Sequence, residues 1–145
     1  MAEIYNLIDT GTAGYVAGTT SLNVFNTEGR KNFALYVIAE APTGGSGSDI
    51  FDGSLLECDD PEFPTGKTYT CLLTKASDDS TKVTSIDNIL GGITAGNATL
   101  TQKFSLKDSN YARYLKFVPA LTGTVTHFKN LRVFVAYDTI TRTTL

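Results

Sequence analysis

The chain reads as all-β, an antiparallel two-sheet sandwich of jelly-roll type, and three observations carry that expectation. The first is the final third, where Tyr111-Ala112-Arg113-Tyr114-Leu115-Lys116-Phe117 leads through Leu121-Thr122-Gly123-Thr124-Val125-Thr126 into Leu131-Arg132-Val133-Phe134-Val135-Ala136-Tyr137. Two stretches of period-2 alternation flank a Thr/Gly-rich turn, the pattern of half-buried antiparallel strands. The second is turn chemistry that recurs along the chain and leaves only short segments between breaks. The third is that no stretch has the 3.6-residue apolar period of an amphipathic helix. Many short strands with such spacing fit a sandwich, with a closed barrel as the alternative.

In chain order the predicted strands are 4–9, 15–25, 33–40, 50–58, 67–75, 83–89, 98–106, 113–118 and 131–137. The connection Pro42-Thr43-Gly44-Gly45-Ser46-Gly47-Ser48 reads as a flexible surface loop, and Asp59-Asp60-Pro61-Glu62-Phe63-Pro64-Thr65-Gly66 as a longer one. Ser77-Asp78-Asp79-Ser80 and Asp108-Ser109-Asn110 read as tight turns. Within 67–75, alternation places Tyr69, Cys71 and Leu73 on one face and Thr68, Thr70, Leu72 and Thr74 on the other. In the last strand Leu131, Val133, Val135 and Tyr137 face inward. Residues 84–90 could form a turn or two of helix, which Gly91-Gly92 ends at once.

At 145 residues the chain fits one domain, with a short N-terminal arm over about residues 1–10. It is long enough to bury roughly two thirds of the surface that the unfolded chain exposes. The longest apolar runs, such as 33–39, fall far short of the ~20 residues a membrane helix needs. The first residues carry neither a basic n-region nor a long apolar h-region, so synthesis in the cytoplasm is expected.

The net charge of -3 gives no reason to expect nucleic acid or membrane as a partner. Its distribution is uneven. From 40 to 62 stand seven acids (Glu40, Asp49, Asp52, Glu57, Asp59, Asp60 and Glu62) with no Lys or Arg between them. After Leu100, Lys103, Lys107, Arg113, Lys116, Lys129, Arg132 and Arg142 face only Asp108 and Asp138. Such segregation is either the solvated faces of different strands or a means of docking onto a partner or a neighbouring copy.

Chemistry-bearing residues are few. The single histidine, His127, has no second histidine or paired cysteine with which to complete a metal site or a proton relay. Cys58 and Cys71, thirteen positions apart, do not make a CxxC motif. Adjacent strands could bring them within reach of a disulfide, but two buried free thiols are the expectation. Asp59, Asp60 and Glu62, or Asp78 and Asp79, lack the spacing of a dedicated calcium loop and read as solvated turns. Gly91-Gly92-Ile93-Thr94-Ala95-Gly96 lacks the following Lys of a phosphate loop, and Asn97-Ala98-Thr99 is a glycosylation sequon only in a secreted chain. No catalytic residue, metal or cofactor is expected. Tyr5, Tyr15, Phe51, Phe63, Tyr111 and Phe128 lie near strand ends or loops, where exposed rings would serve an interface or stack on sugars.

Three segments carry a resemblance to a known family: Thr19-Thr20-Ser21-Leu22-Asn23-Val24-Phe25; residues 33–40 with Ala41-Pro42-Thr43-Gly44-Gly45; and Ala112-Arg113-Tyr114-Leu115-Lys116-Phe117 with Thr122-Gly123-Thr124-Val125-Thr126. Together they span most of the chain in order. In this pattern the chain resembles the small capsid cement, or decoration, proteins of short-tailed bacteriophages, jelly-roll proteins that coat the head. The resemblance implies a non-enzymatic virion protein on the capsid exterior, made in the host cytoplasm. Its partners would be the major capsid protein and other copies of itself, as dimer or trimer, and it would reinforce the shell against internal pressure. Expected contact residues are Ile4 and Tyr5 on the N-terminal arm and Asp59, Asp60, Glu62 and Phe63 on the acidic loop, with 44–48 at an exposed tip. The alternative is a tail- or fibre-associated β-sandwich that binds carbohydrate or a receptor through exposed tyrosines. The lack of Trp speaks against it. A hydrolase would need paired carboxylates or a nucleophile beside a base, and no motif supplies them.

Overall fold

The computed structural model describes residues 3–10, 22–39, 50–76, 80–84, 86, 100–107, 112–122 and 130–140. Among them are ten strands and no helix. The strands are β1 (Glu3–Asp9), β2 (Phe25–Asn26), β3 (Arg30–Ala39), β4 (Ile50–Cys58), β5 (Tyr69–Thr70), β6 (Leu73–Lys75), β7 (Lys82–Val83), β8 (Leu100–Ser105), β9 (Tyr114–Thr122) and β10 (Arg132–Thr139). They form a six-stranded sheet in the order β1-β10-β3-β8-β6-β7 and a four-stranded sheet in the order β2-β9-β4-β5. Every strand pairing is antiparallel. The fold is therefore an all-β, two-sheet antiparallel sandwich rather than a closed barrel.

Alternation builds the core. On β10, Val133, Val135 and Tyr137 turn inward, and on β3 Phe33, Leu35 and Val37 do the same. From the four-stranded sheet, Leu55 on β4 and Leu115 and Phe117 on the adjacent β9 join the same cluster, so both sheets contribute to one core. Burying each such side chain stabilises the fold by roughly 1.5–3 kcal/mol before entropy is counted. Strict alternation would expose Leu7 or Ile8, yet both are fully buried. The register with β10 slips between Asn6 and Ile8, and this bulge turns two successive apolar residues inward. A second bulge lies between β10 and β3, where Asn32 takes a positive φ of 57° and donates from its side chain to Asp138.

One end of the core is closed by rings. Phe25 packs against Tyr5, Phe33 and Tyr137, with centroids 5.3, 5.7 and 5.1 Å away. The Arg30 guanidinium lies 4.8 Å from the Phe25 centroid and 4.7 Å from that of Tyr137, and donates to the Asn26 carbonyl at 2.8 Å. An arginine there keeps its charge while its planar face covers apolar surface. Elsewhere backbones approach so closely that only glycine fits. A Cβ on Gly53 would stand 2.5 Å from the Phe117 ring and 2.8 Å from the Val118 carbonyl.

Several expected elements change. The predicted strand 67–75 is two strands in different sheets. Tyr69–Thr70 pairs with β4, the Cys71 N–H donates to Leu55 O at 2.8 Å, and the chain then crosses to pair Leu73–Lys75 with β8. Consequently Tyr69, placed on one face with Cys71 and Leu73, is 65% exposed while those two are buried, and Thr74, placed on the other face, is fully buried. The first is set by a two-residue edge strand too short to be covered, the second by the change of sheet. Of the predicted strand 83–89, Val83 pairs within β7 and Ile86 is buried, its N–H donating to Gly53 O; 85 and 87–89 lie outside the described residues. The predicted strand 113–118 continues to Thr122, through Pro119. Of 15–25 only 22–25 are described, and strand pairing begins at Phe25. His127, the loop 42–48, the glycines of 91–96, the sequon at 97, Asp78, Asp79, the turn 108–110 and the turn 123–126 lie outside the described residues.

Candidate functional site

The six residues expected to make contacts fall into two groups. Ile4 is 54% exposed on β1, an edge strand of the six-stranded sheet. Tyr5, its neighbour, is half-buried: its ring packs on Phe25 and its hydroxyl donates to Val24 O at 3.0 Å. At Asn6 and Leu7 the edge is covered. Asn23 donates its N–H to Leu7 O and its side-chain amide to Asn6 O, both at 3.0 Å, which occupies carbonyls that an edge strand would otherwise offer to another chain.

The second group stands on the β4–β5 connection, residues 59–68. Asp60 shapes its first half, accepting from the Glu62 N–H on its carboxylate at 2.9 Å and from the Phe63 N–H on its carbonyl at 3.1 Å. Pro64 O accepts from the Lys67 N–H at 3.2 Å and from the Thr68 hydroxyl at 3.0 Å. Gly66, with φ 89°, supplies the positive angle this second turn requires. The loop is anchored to β9. Asp59 accepts from the Arg113 N–H at 3.1 Å, and the Lys116 ammonium lies 4.7 Å from the Phe63 ring centroid. Asp59, Asp60 and Glu62 are exposed, and Phe63 is half-buried.

Below this loop is an open cleft of about 340 Å³ lined by Cys58, Asp59, Asp60, Lys67 and Tyr69. The buried Cys58 thiol is its floor, accepting from the Asp60 N–H at 3.4 Å and donating to Lys67 O at 3.3 Å. One sulfur thus ties together the two rims.

A second feature occupies the outer face of the six-stranded sheet. Tyr36 and Phe134 stack across β3 and β10 with centroids 5.0 Å apart and planes 7° from parallel. Lys103 on β8 sits 5.5 Å from the Tyr36 centroid, and Arg132 sits 5.1 Å from that of Phe134. The order along the sheet is cation, ring, ring, cation. Asn6 on β1 accepts from the Arg132 guanidinium at 3.2 Å, and Asp9 pairs opposite Arg132 in the register. No family model, curated protein or solved structure matches this chain.

Charges that are segregated along the sequence are interleaved in the fold. Acidic Asp59 meets the backbone of Arg113, the Lys116 cation covers a ring of the acidic loop, and Glu28 pairs with Arg113 at 2.7 Å. That ion pair is 51% and 68% exposed, so it contributes little to stability. Cys58 and Cys71 are both buried free thiols, and Cys71 donates to the Glu57 carboxylate at 3.3 Å. Among the described residues no three His, Cys, Asp or Glu gather closely enough to hold a metal ion.

Sequence reasoning missed the stack and the exposure of Tyr69. The stack had a signal. In β3 and β10 the residues between the core positions include Tyr36 and Phe134, aromatic side chains where an outward face is ordinarily polar. For Tyr69 there was none, because alternation placed it with Cys71.

Proposed function

We propose that this chain is a structural virion protein that binds the outside of an assembled phage capsid and stabilises it as a cement protein of jelly-roll type. The observation that carries the reading is the strand order. Along the chain, β1, β3, β8 and β10 lie side by side in one sheet as β1-β10-β3-β8, while β2, β4, β5 and β9 form the other as β2-β9-β4-β5. This interleaving of two sheets is the arrangement expected of a jelly roll, an architecture used by capsid proteins and by lectins. It agrees with the pattern-level resemblance to phage decoration proteins.

Within this reading the coat-facing surface is the outer face of the six-stranded sheet, with exposed Ile4 and the two cations that end the aromatic stack. It suits a coat patch with an apolar centre and acidic surroundings, met by opposite charge on this chain. The acidic loop is turned to its own β9 by Asp59 and Phe63, which leaves it less to offer the shell. Other copies of the chain, as dimer or trimer, would multiply the contacts around a symmetry axis.

The test is to count this chain against the major coat protein in purified particles of its source by quantitative mass spectrometry. A copy number commensurate with the coat subunits supports the cement reading. A few copies per particle would move it to the tail, and none would overturn it.

A further inference from the structure

We infer that the cleft between Tyr69 and the β4–β5 loop is a binding site for a neutral saccharide. Four observations converge on that ligand class. The first is the ring. Tyr69 is 65% exposed, yet its backbone is fixed by pairing with Glu57 on β4, so the side chain stands on a rigid base. Both faces of Phe134 and Tyr36 are covered within the stack, whereas among the described residues neither the ring nor the hydroxyl of Tyr69 has a partner. An exposed, anchored ring with an open face offers a surface for the C–H face of a pyranose.

The second is the polar set facing it. Asp59 and Asp60 each have one carboxylate oxygen held by a backbone N–H, from Arg113 and Glu62. The second oxygen of each remains available to accept from hydroxyls. Across from them Lys67 is exposed, with no ion-pair partner among the described residues, and can donate to hydroxyl or ring oxygens.

The third is charge. Two carboxylates oppose an anion, the ammonium opposes a cation, and a lining rich in charged groups does not suit an apolar ligand. A neutral ring that carries both donors and acceptors satisfies all of these groups. The fourth is preorganisation. Cys58 holds the Asp60 and Lys67 rims through one sulfur, and the Pro64 carbonyl fixes the turn into Tyr69, so the side chains are placed before a ligand arrives. A cleft of about 340 Å³ is at the small end of ligand sites and suits about one or two sugar rings.

The experiment is a ¹⁵N–¹H correlation titration of the isolated full chain with neutral trisaccharides of glucose, galactose and mannose. Saturable shifts centred on Asp60, Lys67 and Tyr69 are expected with at least one series. Tyr69→Ala should weaken that binding about tenfold, and Tyr69→Phe should retain most of it. Thermal melts of both variants check that they are folded, which the exposure of Tyr69 favours. Absence of saturable shifts with all three series overturns the assignment, as do shifts elsewhere that survive Tyr69→Ala. The measurement uses no coat protein, so its outcome is separate from that of the cement reading.

Discussion

Tyr36 and Phe134 stack face to face across β3 and β10, 5.0 Å between centroids and 7° from parallel, on the outer face of the six-stranded sheet. Arg132 and Lys103 cap the outer faces of the pair, so the rings present their edges outward while their faces are closed. Such a stack stiffens the sheet where it would meet a partner, and rules these two rings out as a sugar platform. Replacing either ring by alanine should cost about 1–2 kcal/mol, and a double-mutant cycle should give a coupling of about 0.5–1.5 kcal/mol. Urea unfolding of the four proteins checks this; additive losses would mean the rings act independently.

Gly53→Ala should be among the most damaging single changes. Its Cβ would meet the Phe117 Cε1 and Cζ atoms at 2.5 Å and the Val118 carbonyl at 2.8 Å, and the second contact cannot be relieved by a side chain. A loss of about 2–3 kcal/mol is expected. Adding Phe117→Leu should recover part of it, so the double variant loses less than the sum of the singles. Chemical denaturation of the three variants reads the result.

Arg30→Lys should destabilise although it keeps the charge. The guanidinium lies within 5 Å of the Phe25 and Tyr137 centroids and donates to the Asn26 carbonyl. A lysine ammonium cannot cover both rings with a planar face. The expected loss is about 1–2 kcal/mol, or a Tm lower by about 3–8 °C, in a thermal melt.

The two thiols should be free and slow to react. Cys58 and Cys71 are 1% and 0% exposed and each donates to an oxygen. A thiol reagent should label neither in the native protein and both after denaturation without reductant. Recovery of a Cys58–Cys71 disulfide would contradict the structure.

Under the proposed cement function, binding to a coat-protein shell separates the two surfaces. Ile4→Asp combined with Lys103→Glu should abolish it, and raised salt should weaken the unaltered chain because exposed charges are screened. Neutralising Asp59, Asp60 and Glu62 together should leave shell binding nearly unchanged. A salt-sensitive loss from that triple variant would return the acidic loop to the shell interface.

What the amino-acid sequence determined by itself is the local part of this fold. Period-2 alternation is set by the backbone, so Val133, Val135 and Tyr137 could be read as inward, and 50–58 as a strand, with no knowledge of their neighbours. The same pattern cannot say which sheet a strand joins. Residues 67–75 alternate as one strand, yet the chain leaves β4 at Cys71 and reaches β8 by Leu73, because pairing partners far along the sequence decide membership. Bulges are equally non-local: Leu7 and Ile8 both face inward only because the β10 register slips beside them. Of the expected contact residues, Ile4, Asp59, Asp60 and Glu62, placed on the N-terminal arm and in a polar loop, are exposed. That Tyr5 closes the core, that Phe63 lies beneath Lys116, and that Tyr69 stands open over a cleft are decided by tertiary structure alone, since each depends on side chains brought together from distant strands.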